Sequence, residues 1–352
     1  MGLIKFERSV ETATFFSPLA GMELADQTIE VRRDPLTGMT AVSSSELATK
    51  EEMFYGKTDW AHADELAAHT REGCFFCPEK VLETTPRYPE DVVPGGRLER
   101  GRALVFPNLF PLAAVHSVVT FPGEHFLRPS QFTPDLLEEG IGAAVDFMGR
   151  AECAYSGLEH LELCCNHMLP AGASMVHPHF QVFGGPAVPW MLHLVWERGA
   201  AFAAEHGASY WKVLVDEETA SGERFVAEEA GCTWLAAYAP TGGREVVAVV
   251  PGTPRVSGLA GEQVAALARG LSAVLAWYED EGLSAFNFTL GGGPLSGAPD
   301  PHAVTLRIVA RSAFKPDFRT DDYFLQKQLG GELVFVAPEE LAATLRDRFA
   351  SR

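Results

Sequence analysis

The chain has 352 residues, 47% of them hydrophobic, and a formal net charge of −19. That length supports one large core or two fused lobes of a soluble globular protein. The acidic balance argues against a nucleic-acid polymer as partner, but leaves room for a small phosphate ligand held by a few local donors. No run approaches the roughly 20 apolar residues of a membrane span. The start, Met1 to Glu11, carries Lys5, Glu7, Arg8 and Glu11 where a signal peptide would need an apolar core. The expectation is a cytoplasmic protein with no membrane partner.

Residues 1–30 give no clear element beyond a strand near Gln27 to Val31. Arg32-Arg33-Asp34-Pro35-Leu36-Thr37-Gly38 is a Pro/Gly turn between strand-like stretches, and its arginines are suited either to phosphate or to a solvated face. Glu46 to Thr70 is polar and irregular, with short helical pieces at best, and leads into Cys74-Phe-Phe-Cys77-Pro78. A Cys-x-x-Cys knuckle places two thiolates on one metal. The competing redox dithiol would open a helix within a thioredoxin-like pattern, which is not evident here. The other cysteines are Cys153, Cys164, Cys165 and Cys232, too irregularly placed for a disulfide framework; adjacent Cys164 and Cys165 read as buried thiols.

Pro-rich residues 86–94 precede strands at Arg102–Pro107 and Val115–Pro122, joined by Asn108-Leu-Phe-Pro-Leu. A helix is predicted over Pro134–Ala154, burying Leu136, Leu137, Ile141, Ala144, Val145 and Met148. His160, taken alone, reads as a surface residue before a strand at Leu161–Asn166. Beyond Gly184-Gly185-Pro186, strands are predicted at Tyr210–Val215, Trp234–Ala239 and Glu245–Pro251, then a helix near Gly261–Asp280. A strand at Ala285–Leu290, a Gly/Pro-rich loop over 291–301, a strand at Val304–Arg311 and a closing helix at Pro338–Phe349 complete the chain. The order repeats that of 102–183, with His116 to His125 aligned on Glu245 to Pro254, and so reads as an internal duplication. The expected fold is α+β: two duplicated lobes, 20–200 and 206–352, of largely antiparallel sheet with flanking helices, the second lobe degenerate.

The stretch Asn166 to Gln181 is hard to explain by folding alone. In an extended strand His177, His179 and Gln181 share one face, while Phe180 and Val182 pack on the other. A half-buried strand with two satisfied histidines is the plain reading of a lone His-x-His, and the context argues against it. Cys74, Cys77, His125 and His177 make the ligand number and type of a closed tetrahedral zinc site. His179 would then be held in place but not consumed as a ligand, a candidate nucleophile toward an α-phosphorus. Gln181 and Ser174 are candidate donors to phosphoryl oxygens, and Asn166 either does the same or braces the loop.

With these residues in view the chain resembles the galactose-1-phosphate uridylyltransferase family of the histidine-triad superfamily. The resemblance rests on Gly172-x-Ser174-x-x-His177-Pro178-His179-x-Gln181, on Asn166 upstream, on Arg33-x-Pro35-Leu36-Thr37-Gly38, and on Cys74, Cys77, His125 and His177. It implies a double displacement through nucleotidylated His179, with Arg33, Asn108, Asn166 and Ser174 as substrate-binding residues, zinc as cofactor and a homodimer as assembly. The partners it implies are a nucleotide sugar and a sugar phosphate or phosphate. The Gly-Ala-Ser-Met form, with Val188-Pro189 downstream, is also similar to nucleotide-sugar or dinucleotide phosphorylases. Two departures stand out: no second metal cluster on C-terminal histidines, only His302 remaining there beside Thr305 and Arg307, and Phe180 where the family often has a small residue. The rival expectations are a phosphorylase using inorganic phosphate and a zinc-stabilised nucleotide-binding protein without turnover.

Overall fold

Two amphipathic helices and the sheet they cover set the architecture. The computed structural model describes residues 2–297 and 301–350, so residues 298–300 of the Gly/Pro-rich loop lie outside the described residues. The helices of twelve residues or more are α1 (Trp60–Arg71), α2 (Pro134–Ala154), α3 (Trp190–His206), α4 (Tyr210–Ser221), α5 (Gly261–Asp280) and α6 (Pro338–Ala350). None among the described residues is long and apolar enough to cross a membrane. In the first half of the chain the strands are β1 (Glu7–Ser17), β2 (Glu23–Arg33), β3 (Thr40–Ser44), β4 (Leu98–Arg100), β5 (Ala103–Pro107), β6 (Val115–Thr120), β7 (His160–His167) and β8 (His179–Gly185). In the second half they are β9 (Phe225–Glu229), β10 (Cys232–Ala236), β11 (Gly243–Val250), β12 (Phe286–Gly291), β13 (Val304–Ala310) and β14 (Gly331–Leu333).

The main sheet runs β4-β5-β6-β8-β7-β12-β13-β11-β10-β9, antiparallel throughout, and joins its two halves where Cys164 of β7 pairs with Thr289 of β12. Each half contains the same sequence of parts: two hairpin strands, a long helix and two further strands. The fold is therefore α+β with duplicated lobes. Alternation along each strand sends one set of side chains under α2 and α5, among them Val119, Leu163, Phe180, Val182, Phe288, Leu306 and Ile308, all at most 2% exposed. The other set, including His116, Gln181, Cys164, Thr289 and Arg307, is left for chemistry. A smaller sheet, β1-β2-β3-β14, carries the N-terminal hairpin and a parallel β3/β14 pair.

Several expectations change. The segment 210–215, predicted as a strand, lies in α4: Tyr210, Trp211 and Glu218 fall on one buried helical face, a spacing that period-2 reading of six residues cannot distinguish. Residues 60–71, predicted as irregular, form α1, capped by the Asp59 carboxylate on the His62 N–H at 3.0 Å. Its buried face is only Ala63 and Ala67, too small to raise a hydrophobic signal. His160 is not on the surface; it is 1% exposed, with Nδ1 2.5 Å from Glu162 Oε2. Residues 7–17 and 23–33, of which the sequence marked only the strand near Gln27 to Val31, pair over eleven positions. Of the predicted buried face of α2, Val145 is only half-buried and Phe147 takes the core position.

The Phe180 side chain, unusual for the motif, has a cause in the helix above it. Gly140 of α2 leaves room for it: a Cβ there would stand 2.6 Å from Phe121 Cζ and 2.8 Å from Phe180 Cε2. Gly140→Ala should therefore cost about 1–3 kcal/mol in a denaturant melt by overpacking the strand between His179 and Gln181. A wild-type midpoint would show that this helix does not press on the motif.

Candidate active site

Four donors converge from three segments. Cys74 and Cys77 come from the turn after α1, His125 from the loop after β6, and His177 from the residues just before β8. All four are buried, and their ligating atoms lie within 4.8 Å of one another. Cys74 Sγ is 3.3 Å from His177 Nδ1, Cys77 Sγ is 3.2 Å from His125 Nδ1, and Cys77 Sγ is 3.8 Å from His177 Nδ1. A tetrahedral site with bonds of 2.0–2.3 Å has edges of roughly 3.3–3.8 Å, so these separations suit a single ion.

The tautomers are fixed by backbone carbonyls, which only accept. His177 Nε2–H donates to Phe121 O at 3.1 Å and His125 Nε2–H donates to Ala67 O at 2.9 Å, so both rings turn a bare Nδ1 toward the thiols. The Ala67 carbonyl belongs to α1, which gives that helix a part in the site. Burial pulls the His177 imidazole down to about 3, and burial with the neighbouring Cys74 raises the Cys77 thiol. Neutral imidazoles suit a cation, and a cation would offset the burial that raises the Cys77 thiol.

His179, the first residue of β8, uses the same device. Its Nδ1–H donates to the carbonyl of His177 at 2.8 Å, which leaves Nε2 as the lone-pair nitrogen; Nε2 has no hydrogen-bond partner among the described residues. The ring is 9% exposed, and burial lowers its basicity below that of free imidazole. Phe76, from the Cys-x-x-Cys knuckle, sets its ring edge-on to both His177 and His179, at 5.7 and 5.5 Å between centroids. His177 itself precedes the strand rather than extending it: Thr120 Oγ1 donates to Pro178 O at 3.3 Å, and the chain becomes extended only at His179.

Gln181 is half-buried on the open face, opposite Val118 of β6 and Cys164 of β7. Its amide is oriented by a residue that sequence reading used only to align the repeat. His116 Nδ1 accepts from Leu112 N–H at 3.0 Å, so its Nε2–H donates to Gln181 Oε1 at 2.8 Å. The Gln181 NH2 is thereby turned away from His116, free to donate elsewhere. The signal available in the sequence was the period-2 series His116, Val118, Thr120 facing the motif strand.

Asn166 lies beside His179, one residue beyond the Cys165–Phe180 pair. Asn287 Nδ2 donates to Asn166 Oδ1 at 2.7 Å and to Ala171 O at 2.9 Å; Arg311 Nη1 donates to Asn287 Oδ1 at 2.6 Å, and Arg311 is paired to Asp321. This chain comes entirely from the second half of the sequence and went unnoticed there. Asn108 is half-buried, its Oδ1 accepting from Phe110 N–H at 2.9 Å and its Nδ2 3.2 Å from His116 Nε2. Ser174 is exposed in the turn after Gly172, whose φ of 85° requires glycine. Arg33 ends β2 on the smaller sheet, and its contacts are Gly38 O at 2.9 Å and Glu7 at 3.6 Å. The cluster, His179, Gln181, Asn166 and Asn108 are thus drawn together around β8, whereas Arg33 is engaged on its own hairpin.

If the four-donor cluster holds an ion, purified protein should carry about one transition-metal equivalent per chain by elemental analysis. Cys77→Ser should lose it and several kcal/mol of stability with it. Unchanged metal content would remove the cluster from consideration.

No family model matches the chain. An uncharacterised protein of Archaeoglobus fulgidus is 27% identical over 346 residues, covering 98% of each chain. Among solved structures, an ADP-glucose phosphorylase from Arabidopsis thaliana with bound ADP-glucose is similar at TM-score 0.70 and 18% identity, over 91% of this chain and 98% of that one. A GalT-like protein from Arabidopsis thaliana follows at 0.69 and 18%, over 90% and 98%, and a uridylyltransferase at 0.64 and 18%, over 91% and 98%. The chain has the fold of these uridylyltransferase and GalT-like structures, the fold that the sequence resemblance implied.

Proposed function

We propose that the chain is a nucleotidyltransferase that moves a nucleoside monophosphate between a nucleotide sugar and a sugar 1-phosphate through a covalent adduct on His179. The observation that supports the reading is the His179 Nδ1–H bond to the His177 carbonyl, which leaves Nε2 with the lone pair a nucleophile needs. The resemblance and the shared fold support the same reading.

In the first half-reaction the Nε2 lone pair attacks the α-phosphorus, an N–P bond forms, and the bond to the bridging oxygen breaks. Sugar 1-phosphate departs with that electron pair. The Nδ1 proton stays in place against the carbonyl, whose dipole offsets the positive charge that develops on the ring. Gln181, with its oxygen held by His116, donates N–H to a non-bridging oxygen; Asn166 and Ser174 are further donors. Asn108, beside His116, is proposed to contact the nucleotide, whereas Arg33, held on its own hairpin, is given no contact with it within one chain. The incoming sugar 1-phosphate reverses the steps. Inorganic phosphate as acceptor would make the same enzyme a phosphorylase, the activity named for one of the structural neighbours.

Zinc is the ion we assign to Cys74, Cys77, His125 and His177, since two thiolates with two imidazoles in tetrahedral reach select it. With four protein ligands it supplies rigidity rather than a reacting position. Its consequence for the chemistry lies in His177, whose fixed backbone positions the carbonyl that orients His179.

The decisive experiment is intact-protein mass after brief mixing with UDP-, ADP-, GDP- and CDP-sugars. A single nucleoside-monophosphate adduct is expected, absent from His179→Gly, and its mass names the base. Discharge by sugar 1-phosphate or by inorganic phosphate then separates transferase from phosphorylase. A zinc-replete protein that forms no adduct with any donor would count against this reading and favour a zinc-stabilised binding protein or a donor outside the panel. Rates graded by role are also expected: Gln181→Ala should slow adduct formation roughly 100-fold. His116→Ala, which only frees the glutamine to rotate, should slow it about 10-fold, and equal effects would contradict the assigned orientation.

A further inference from the structure

One row of side chains crosses from the motif strand into the second lobe. Asn166 of β7 lies between His179 of β8 and Asn287 of β12, and alternation puts all three on the open face. A side-chain amide in such a row is a donor on one edge and an acceptor on the other. Which edge Asn166 offers to a phosphoryl group at His179 therefore matters to the chemistry. Among the described residues no group of β7 or β8 bonds its side chain and fixes that edge.

The edge is fixed from the far side. Asp321 holds the Arg311 guanidinium by two bonds, Nε to Oδ2 at 2.9 Å and Nη2 to Oδ1 at 2.6 Å, and is itself tied by Ser312 N–H at 3.1 Å. That leaves Nη1, which donates to Asn287 Oδ1 at 2.6 Å. A guanidinium has no acceptor, so the atom facing it is the Asn287 oxygen, and the NH2 group turns the other way. There it donates to Asn166 Oδ1 at 2.7 Å and to the Ala171 carbonyl at 2.9 Å, a group that only accepts. The Asn287 amide is thus fixed at both ends. Asn166, its oxygen committed to Asn287, presents its NH2 to the His179 side of the row.

We infer that Asn287 is a positioning residue that sets the polarity of the site, making the second-lobe flank of the reacting phosphorus a hydrogen-bond donor by way of Asn166. The inference rests on the nucleotidyl-histidine reading above. A flipped Asn166 would aim its oxygen at the non-bridging phosphoryl oxygens, replacing attraction with repulsion where negative charge accumulates in the transition state. Arg311 and Asp321 exclude the flip before substrate arrives, so no reorganisation is needed during reaction. The Ala171 carbonyl closes the turn at Leu169–Ala171, ahead of Gly172 at φ 85° and Ser174. One side chain of the second lobe therefore governs two donor elements of the first, which gives the lobe without a nucleophile a part in the chemistry.

The test separates a flipped amide from a loosened one. Adduct formation on His179 is timed on full-length, zinc-loaded protein with whichever of the UDP-, ADP-, GDP- and CDP-sugars labels the wild type. In Asn287→Asp the carboxylate still accepts from Arg311, but its second oxygen is an acceptor where the amide had a donor, so Asn166 turns its NH2 toward it. In Asn287→Ala, Asn166 is only free to rotate. Aspartate should slow labelling roughly 100-fold and alanine about 10-fold, with zinc content unchanged in both. In an Asn166→Ala background each substitution should cost less than about threefold, an allowance for the Ala171 bond that both remove. A residue that merely braces the fold would slow labelling equally with and without Asn166, and that result overturns the inference, as does alanine proving as damaging as aspartate. Should Asn287→Asp not fold, the alanine variant decides alone: a penalty undiminished by Asn166→Ala overturns the inference. A wild type labelled by none of the four donors counts against the nucleotidyl-histidine reading itself, and the inference falls with it.

Discussion

Much of this site depends on the carbonyl oxygen of His177. A carbonyl can only accept, so its 2.8 Å contact with His179 Nδ1 settles which nitrogen of the neighbouring ring bears the proton. That oxygen stays in place because His177 is restrained from both sides of its own ring: Nε2–H on the Phe121 carbonyl and Nδ1 facing Cys74. One peptide unit joins the four-donor cluster to the His179 ring, and the coupling needs no side chain between them. The same rule applied to His125 and Ala67 gives both cluster imidazoles the tautomer that a metal requires.

The rest of the open face is organised by cross-strand neighbours. His116 directs Gln181, and Asn287 with Arg311 and Asp321 directs Asn166, so donors on β7 and β8 are oriented from β6 on one flank and from the second lobe on the other. Duplication makes this possible. The β7–β12 junction puts the two halves of the sheet edge to edge, and a residue of the second half can reach the motif strand without any chain crossing. Where the first lobe has a histidine holding a glutamine, the second has a glutamate holding an arginine, a pair at corresponding strand positions with different chemistry.

The motif strand, the Cys-x-x-Cys knuckle, α2, α5 and most strands of the main sheet were legible because each carries a local signal: a period, a fixed spacing or a flanking Pro/Gly turn. The four cluster residues were legible for a different reason: a Cys-x-x-Cys knuckle with two histidines has the ligand number and type of one tetrahedral site. What escaped had no such signal. α1 buries only alanines, α4 begins with a run that also fits a strand, and His160 forms a buried pair with a glutamate two residues away that a surface strand would carry equally well. The N-terminal hairpin is exposed along most of its length, so no buried alternation marks it.

By itself the sequence determined the residue types and their spacing: two thiols and two imidazoles in the number and type that suit one ion, a third imidazole two residues after the last of them, an amide two residues on, and a repeated order of elements. Only the tertiary structure decided which nitrogen of each ring is bare, that His116 rather than solvent holds Gln181, and that Asn287 and Arg311 support Asn166 from more than a hundred residues away. The division has a physical reason. Ligand identity and periodicity are local properties of the chain, whereas tautomer and amide orientation are set by hydrogen-bond partners that become neighbours only when distant strands pair.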